Sequence, residues 1–189
     1  ILCDDDDIAA KAILMSGSYM LYEQHLSRPP SEVFDKWVAT TPNFSLRLNE
    51  ISAALVSSQL PTLREKIVKW NNVYEQIASG IREIDGLSLP NISPDLQPAP
   101  TSIQFFCPRD GEEISAAIAT AKSFGLNIKW FGNPQPQGFT SNYHHWNYLS
   151  SQKMKNTDVL MEGLLDIRLP STLSEQQCKD IIAILRYSF

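Results

Sequence analysis

The stretch that decides the fold is TPNFSLRLNEISAAL, residues 41–55. Asn49 stands where a helix takes its N-cap, and Leu48, Ile51 and Leu55 are at helical spacing around it. Arg47 lies two residues ahead of that cap. A helix N-terminus already favours an anion, because its first N–H groups have no partner inside the helix. A guanidinium beside it adds a permanent charge and a planar fork of donors, which suits a carboxylate or a phosphate. Arg47 therefore either holds an anionic ligand or makes an ion pair with another piece of protein.

Beyond this motif, Pro61 opens the longest helix pattern. Leu63, Ile67, Trp70, Tyr74, Ile77, Ile81 and Ile84 step by fours and threes along one apolar stripe that stops at Gly86. The stripe fills only about three heptads, the lower edge for a coiled coil, and a helix lying across a sheet is the simpler reading. LSLPNISPDLQPAPTS, residues 87–102, is proline-rich and aperiodic, hence a surface loop. From residue 101 onward the pattern is that of a small α+β unit. TSIQFFC, LNIKWF and DIRLP read as strands. Asp110 with Glu113, and Ser174 with Gln177, have the spacing of capping boxes. They open one helix carrying Ile114, Ala117, Ile118 and Ala121, closed by Gly125, and a last helix carrying Cys178, Ile181, Ile182 and Leu185. Antiparallel strands backed by two or three helices are the simplest packing.

Upstream, Asp4 to Asp7 precede Ile8, Ala12, Met15 and Tyr19. Acids belong at a helix N-terminus, and a cation site is the sharper alternative. Pro29 and Pro30 break that helix. The chain has 189 residues, 43% of them hydrophobic, enough for a substantial core. A formal charge of −5 argues against general nucleic-acid binding. No apolar run is long enough for a membrane span, and no signal pattern opens the chain. Cys3, Cys107 and Cys178 lack CxxC spacing, which argues against zinc and fits reduced, cytoplasmic thiols. The opening Ile-Leu-Cys reads as a strand already under way, so the chain is expected to begin inside a larger protein.

Motifs for nucleophilic triads, P-loops, Rossmann turns and zincins do not occur. The histidines are His25, His144 and His145. The last two fall in KWFGNPQPQGFTSNYHHWNY, residues 129–148, which Gly132, Pro134, Pro136 and Gly138 make a long loop. Neighbours on an extended segment point to opposite sides, so one histidine of the pair meets solvent. Tyr143, Trp146 and Tyr148 offer faces that stack on a base or a sugar, or else simply pin the loop.

The segment TPNFSLRLNEISAALVSSQLPTLREKI resembles the DegT/DnrJ/EryC1/StrS aminotransferases, PLP-dependent enzymes of fold type I. Phe44, Arg47, Leu48, Glu50, Ile51, Ala53, Ala54, Gln59 and Leu60 match the family pattern. ILCDDDDIAAKAILM resembles the family's strand, acidic pair and helix, and LLDIRLPSTLSEQQCKDIIAIL its ending. Two departures stand out. Ser45 occupies a position usually held by asparagine, and KWFGNPQPQGFTSNYHHW replaces the usual segment near the active-site entrance.

The resemblance implies an α/β to α+β architecture: the C-terminal part of a PLP-dependent transferase fold. Residues 1–60 would end the large PLP-binding domain, 61–86 form the long connecting helix, and 87–189 the small domain. It implies a homodimer in which Arg47, with Ser45 and Asn43, holds the cofactor phosphate of the other subunit. Trp130, Phe131, Tyr143 and His144 become the candidates for substrate contact. The substrates would be a small-molecule amino donor and a keto acceptor such as a keto sugar; no nucleic acid, membrane or metal is called for. The family's Schiff-base lysine lies upstream of the opening strand, so no catalytic residue is expected in this chain, which would be inactive by itself. One rival is a regulatory or scaffold protein of the same fold that lacks the lysine. Another is a carbohydrate-binding module using Trp130, Tyr143 and Trp146.

Overall fold

Asp5 caps the first helix, α1 (Asp6–Met15), its carboxylate accepting the Ile8 N–H at 3.0 Å. The acidic run is thus partly spent on the helix start, where its charge meets the N-terminal dipole. Asp7 does a second job. It accepts the Trp37 indole N–H at 2.6 Å and pairs with the Lys36 ammonium at 3.0 Å, both on α2 (Ser31–Trp37). The Lys11 ammonium lies 3.4 Å from the centre of the Trp37 ring. Behind this polar clasp, Ala10, Leu14 and Phe34 are buried together.

The computed structural model describes residues 3–17, 26–42, 44, 49–93, 95–96, 98–135, 142–150 and 152–189. It divides into two compact units, Ile1–Ser57 with Pro134–Met154, and Ser58–Asn133 with Lys155–Phe189. This grouping is not contiguous, unlike the division expected from sequence. Pro134–Met154 joins the first unit, where the Asn147 N–H donates to the Ala39 carbonyl at 2.9 Å.

Within the first unit the buried face of α1 is not the expected one: Ile8 is 56% exposed, while Ala10 and Leu14 are buried. Both faces obey the helical period. Phe34 chooses between them, because a small Ala10 one turn from Leu14 leaves a hollow that a phenyl ring fills. The strand expected at Ile1–Cys3 and the helix position Tyr19 fall on or beside residues outside those described.

α3 (Glu50–Gln59) starts where the sequence placed it, with the Asn49 side chain accepting the Ser52 N–H at 2.8 Å. A 3₁₀ turn at Leu60–Thr62 leads into α4 (Leu63–Arg82). α4 stops four residues short of Gly86, which instead takes φ 83° in the turn that follows.

The second unit holds a three-stranded antiparallel sheet in the order β1-β3-β2, from β1 (Ser102–Phe106), β2 (Lys129–Trp130) and β3 (Leu164–Arg168). Ile103 pairs with Ile167, and Phe105, Leu165 and Trp130 line up across the strands. Residues opposite one another share a face. That face packs against Ile77 and Ile81 of α4, Ile114 of α5 (Gly111–Ser123) and Leu185 of α7 (Glu175–Ser188). Both capping boxes are formed as expected. α6 (Lys155–Gly163) runs directly into β3. β2 is shorter than LNIKWF suggested: Lys129 and Trp130 are in register with β3, and the Phe131 N–H adds a single hydrogen bond to the Leu164 carbonyl at 3.0 Å.

α4 and α7 approach closely at Gly80, where an added Cβ would lie 2.5 Å from the Ile182 side chain. Gly80→Ala is expected to destabilise the protein by about 1–3 kcal/mol, the usual effect of overpacking. Ile182→Ala in the same chain should recover part of that loss in urea unfolding. A fully additive double variant would show that the two residues are not in contact.

Acid should loosen the α1–α2 clasp. The hydrogen bond from Trp37, then that from Lys36, holds the Asp7 carboxyl below its ordinary value of 3.8. A depressed folded value means that the carboxylate's contribution is complete above 3.8 and is lost as the pH falls through the lower folded value. The Trp37 indole N–H resonance should move only below 3.8, and Asp7→Asn should abolish that step. A midpoint above 3.8 in the unsubstituted protein would contradict the clasp.

Candidate functional site

Asn43, Ser45 and Arg47 lie outside the described residues. Their flanks are described. The Phe44 N–H donates to the Met15 carbonyl at 3.2 Å, and Asn49 caps α3. Phe44 thus meets the end of α1, and Asn49 opens α3. Asn49 satisfies the N–H of the third helical residue, and a helix leaves further N–H groups in its first turn. Glu50 also sits in that turn, so a cation nearby is needed to tilt the balance towards an anion.

The four candidates for substrate contact are split between the units. Tyr143 and His144 belong to the first. They form a 3₁₀ turn, Tyr143–His145, whose cap Asn142 accepts the His144 N–H at 3.1 Å. The Tyr143 and His144 rings lie 4.1 Å apart, and Trp146 stacks on Tyr148 at 6.0 Å. The Tyr143 hydroxyl accepts the Met154 N–H at 3.2 Å, closing the segment on itself. The result is a concavity of about 280 Å³ lined by Tyr143, His144, Trp146, Asn147, Gln152 and Met154 among others. Aromatic walls with amide side chains between them suit a ring that carries hydroxyl or carbonyl groups.

Trp130 and Phe131 belong to the second unit. Trp130 sits on the core face of the sheet, its indole N–H donating to the Glu162 carbonyl at 2.8 Å and its ring edge against Gly111. The Lys129 ammonium lies 4.9 Å from the centre of the Phe131 ring. His25 is outside the described residues. No group of three or more His, Cys, Asp or Glu side chains that could hold a metal occurs among the described residues. Cys3, Cys107 and Cys178 are free thiols, and burial pushes the Cys107 and Cys178 thiols up from their ordinary values. None of the described helices is long and apolar enough to cross a membrane.

Two polar features were missed from the sequence. Asp166, on β3, is only 5% exposed and accepts the Gln104 side-chain N–H at 2.6 Å across the strand pair. Its signal was available: an acid inside the apolar run LLDIR, on the opposite face from its neighbours. Arg109 and Glu162 share a cleft that links segments distant in the chain, and no local pattern announces it.

The model of the DegT/DnrJ/EryC1/StrS aminotransferase family matches residues 1–186, and the chain belongs to that family. No match was found among curated proteins. Among solved structures, the chain is similar to the aminotransferase TlmJ from Streptoalloteichus hindustanus, with TM-score 0.63 and 16% identity, covering 98% of this chain and 45% of that one. It is similar also to the sugar aminotransferase CalS13 from Micromonospora echinospora, with TM-score 0.62, 15% identity, and coverage of 86% and 46%. A third is the E coli GDP-4-keto-6-deoxy-D-mannose-3-dehydratase with bound hydrated PLP, with TM-score 0.57, 14% identity, and coverage of 97% and 49%. At such identities the likeness is one of fold. The chain spans less than half the length of each of these three.

Proposed function

We propose that this chain is the C-terminal portion of a PLP-dependent aminotransferase that acts, as a whole protein, on a keto sugar or a similar carbonyl compound. The observation that carries the proposal is the family match over residues 1–186, with Arg47 directly ahead of a capped helix. The proteins of like fold named above include a sugar aminotransferase and a PLP-containing enzyme of a keto sugar nucleotide, which supports the substrate class.

When bound, PLP supplies the electron sink on which an amino group is transferred. The work of this chain is to hold and orient. The donor set suits a phosphate by its chemistry: the Arg47 guanidinium would offer charge-assisted N–H donors, and the Ser45 hydroxyl and Asn43 amide neutral ones. In this reading the phosphate belongs to the partner subunit of a homodimer. α3 supports such an assembly, since it buries no residue, and Ile51 and Leu55 on it are 76% and 61% exposed. In this reading the unit of Ile1–Ser57 with Pro134–Met154 belongs to the large domain, and the unit of Ser58–Asn133 with Lys155–Phe189 is the small one. Tyr143 and His144, at the aromatic concavity of the first unit, contact the acceptor in the same reading. The enzyme works in the cytoplasm.

Two measurements test this. Full-length protein with PLP and an amino donor should release the corresponding keto acid, and failure with every donor and keto sugar tried would leave the non-catalytic rival. The 189-residue chain alone, mixed with PLP and reduced with borohydride, should show only scattered labelling by mass spectrometry. Stoichiometric labelling of one lysine would overturn the assignment of the covalent lysine to a segment outside this chain.

A further inference from the structure

The Tyr143 hydroxyl is engaged by the main chain of its own segment. Its oxygen accepts the Met154 N–H at 3.2 Å, a bond between residues 11 apart in sequence. The turn itself is held by shorter-range bonds. The Asn142 side chain accepts the His144 N–H at 3.1 Å, and the Trp146 N–H donates to the Tyr143 carbonyl at 3.0 Å. Further along, the Asn147 N–H donates to the Ala39 carbonyl at 2.9 Å and ties the segment to the residues after α2. The backbone around Tyr143 is thus held at several points, and its side chain is held at the tip.

The Tyr143 ring lies 4.1 Å from the His144 ring, with 31° between the two planes. Tyr143 is half-buried and His144 is exposed. An exposed imidazole has several staggered rotamers open to it, and a ring packed against one of its faces removes some of them. That ring directs its neighbour only if its own place is fixed. A phenol turns about two torsions, and a hydrogen bond at its far end restrains both.

We propose that Tyr143 is a positioning residue: its hydroxyl, held by the Met154 N–H, fixes the phenol ring, and the ring fixes the His144 imidazole that meets the keto acceptor. This role rests on the placement of the acceptor at the aromatic concavity under the proposed function. The ring face of Tyr143 still contacts the acceptor, while the hydroxyl acts through His144. A hydroxyl that recognised the acceptor directly would do so whether or not Met154 had an N–H to give.

Two substitutions separate these roles. Tyr143→Phe keeps the ring and removes the oxygen. Met154→Pro keeps Tyr143 whole and removes the N–H, at a position just ahead of α6 where a proline is compatible with a helix start. Met154→Ala keeps the N–H and serves as the control. In full-length protein loaded with PLP and carrying histidine labelled with carbon-13 at Cε1, the His144 signal is identified by its loss in His144→Gln. Tyr143→Phe and Met154→Pro should move that signal in the same direction, and Met154→Ala should leave it near the parent's. With L-glutamate as donor and GDP-4-keto-6-deoxy-D-mannose as acceptor, the first two should also raise the acceptor KM roughly two- to tenfold at unchanged kcat, the factor for one neutral hydrogen bond. A His144 signal indifferent to both substitutions overturns the proposal. So does a KM that rises with Tyr143→Phe alone, which would make the hydroxyl a direct contact of the acceptor. Should the protein turn over no keto sugar, the proposed function fails, and the His144 signal still decides whether Tyr143 positions it.

Discussion

Replacing Arg47 by alanine in the full-length protein is expected to weaken PLP retention by about one to two orders of magnitude while the fold stays intact. A charge-assisted hydrogen bond to an anion contributes roughly 1.5–3 kcal/mol, which is that range in affinity. The position supports the size of the effect. Arg47 precedes, in sequence, a helix whose start is formed and capped by Asn49, and a phosphate at that start would draw on the first-turn N–H groups as well as on the guanidinium. Arg47→Lys should restore only part of the loss, because lysine keeps the charge and gives up the planar fork. A structural ion pair forecasts something else: a weaker dimer or a lower melting temperature, with PLP affinity per folded dimer unchanged. Affinity and dimer dissociation measured on one Arg47→Ala preparation separate the two. Unchanged affinity with reduced dimerisation would make Arg47 an interface residue only.

The second large effect is expected at Phe105. Its side chain is fully buried, paired across the sheet with Leu165 and edge-on to Phe189 at a ring separation of 6.0 Å. Phe105→Ala should cost about 3–5 kcal/mol, from lost burial and the cavity left behind. Since a whole domain has only about 5–15 kcal/mol in hand, the second unit should then unfold at markedly lower urea. Phe105→Leu keeps much of the volume and should stay closer to the parent. An alanine variant whose urea midpoint barely moves would mean that Phe105 is not a central packing residue.

Local signals were read correctly where the physics is local. The capping boxes at Asp110 and Ser174, and the Asn49 cap, need only a side-chain oxygen and an N–H three residues away. The strands of DIRLP and TSIQFFC announce themselves through branched and aromatic side chains. The errors came where a distant partner decides. Ile8 was expected inside and is outside, because Phe34 lies over Ala10 and Leu14 instead. LNIKWF reduces to two strand residues because the register with β3 takes in Lys129 and Trp130, with Phe131 adding one hydrogen bond to Leu164. The candidate site was legible as composition, in Arg47 and in the aromatic loop, and not as geometry. For Trp130 the sequence shows only an aromatic ring able to stack; its register opposite Leu165 puts it on the core face.

What the sequence by itself determined about this protein is its family, through the residues around Arg47 and the ending at LLDIRLP, and the starts of α3, α4, α5 and α7; α2 and α6 carried no signal that the reading used. These are properties of neighbours along the chain, where three or four residues make a cap and a dozen make a stripe. What only the tertiary structure decided is which faces are buried and which charges meet. Asp7 reaches Trp37 thirty residues away, Asp166 takes its hydrogen bond from Gln104 across the sheet, and Arg109 and Glu162 line one cleft from separate elements. Such juxtapositions depend on sheet register and helix packing. A one-residue slip in β3 would put Asp166 in the place of Leu165 on the core face, and no pattern local to either segment records which register is kept.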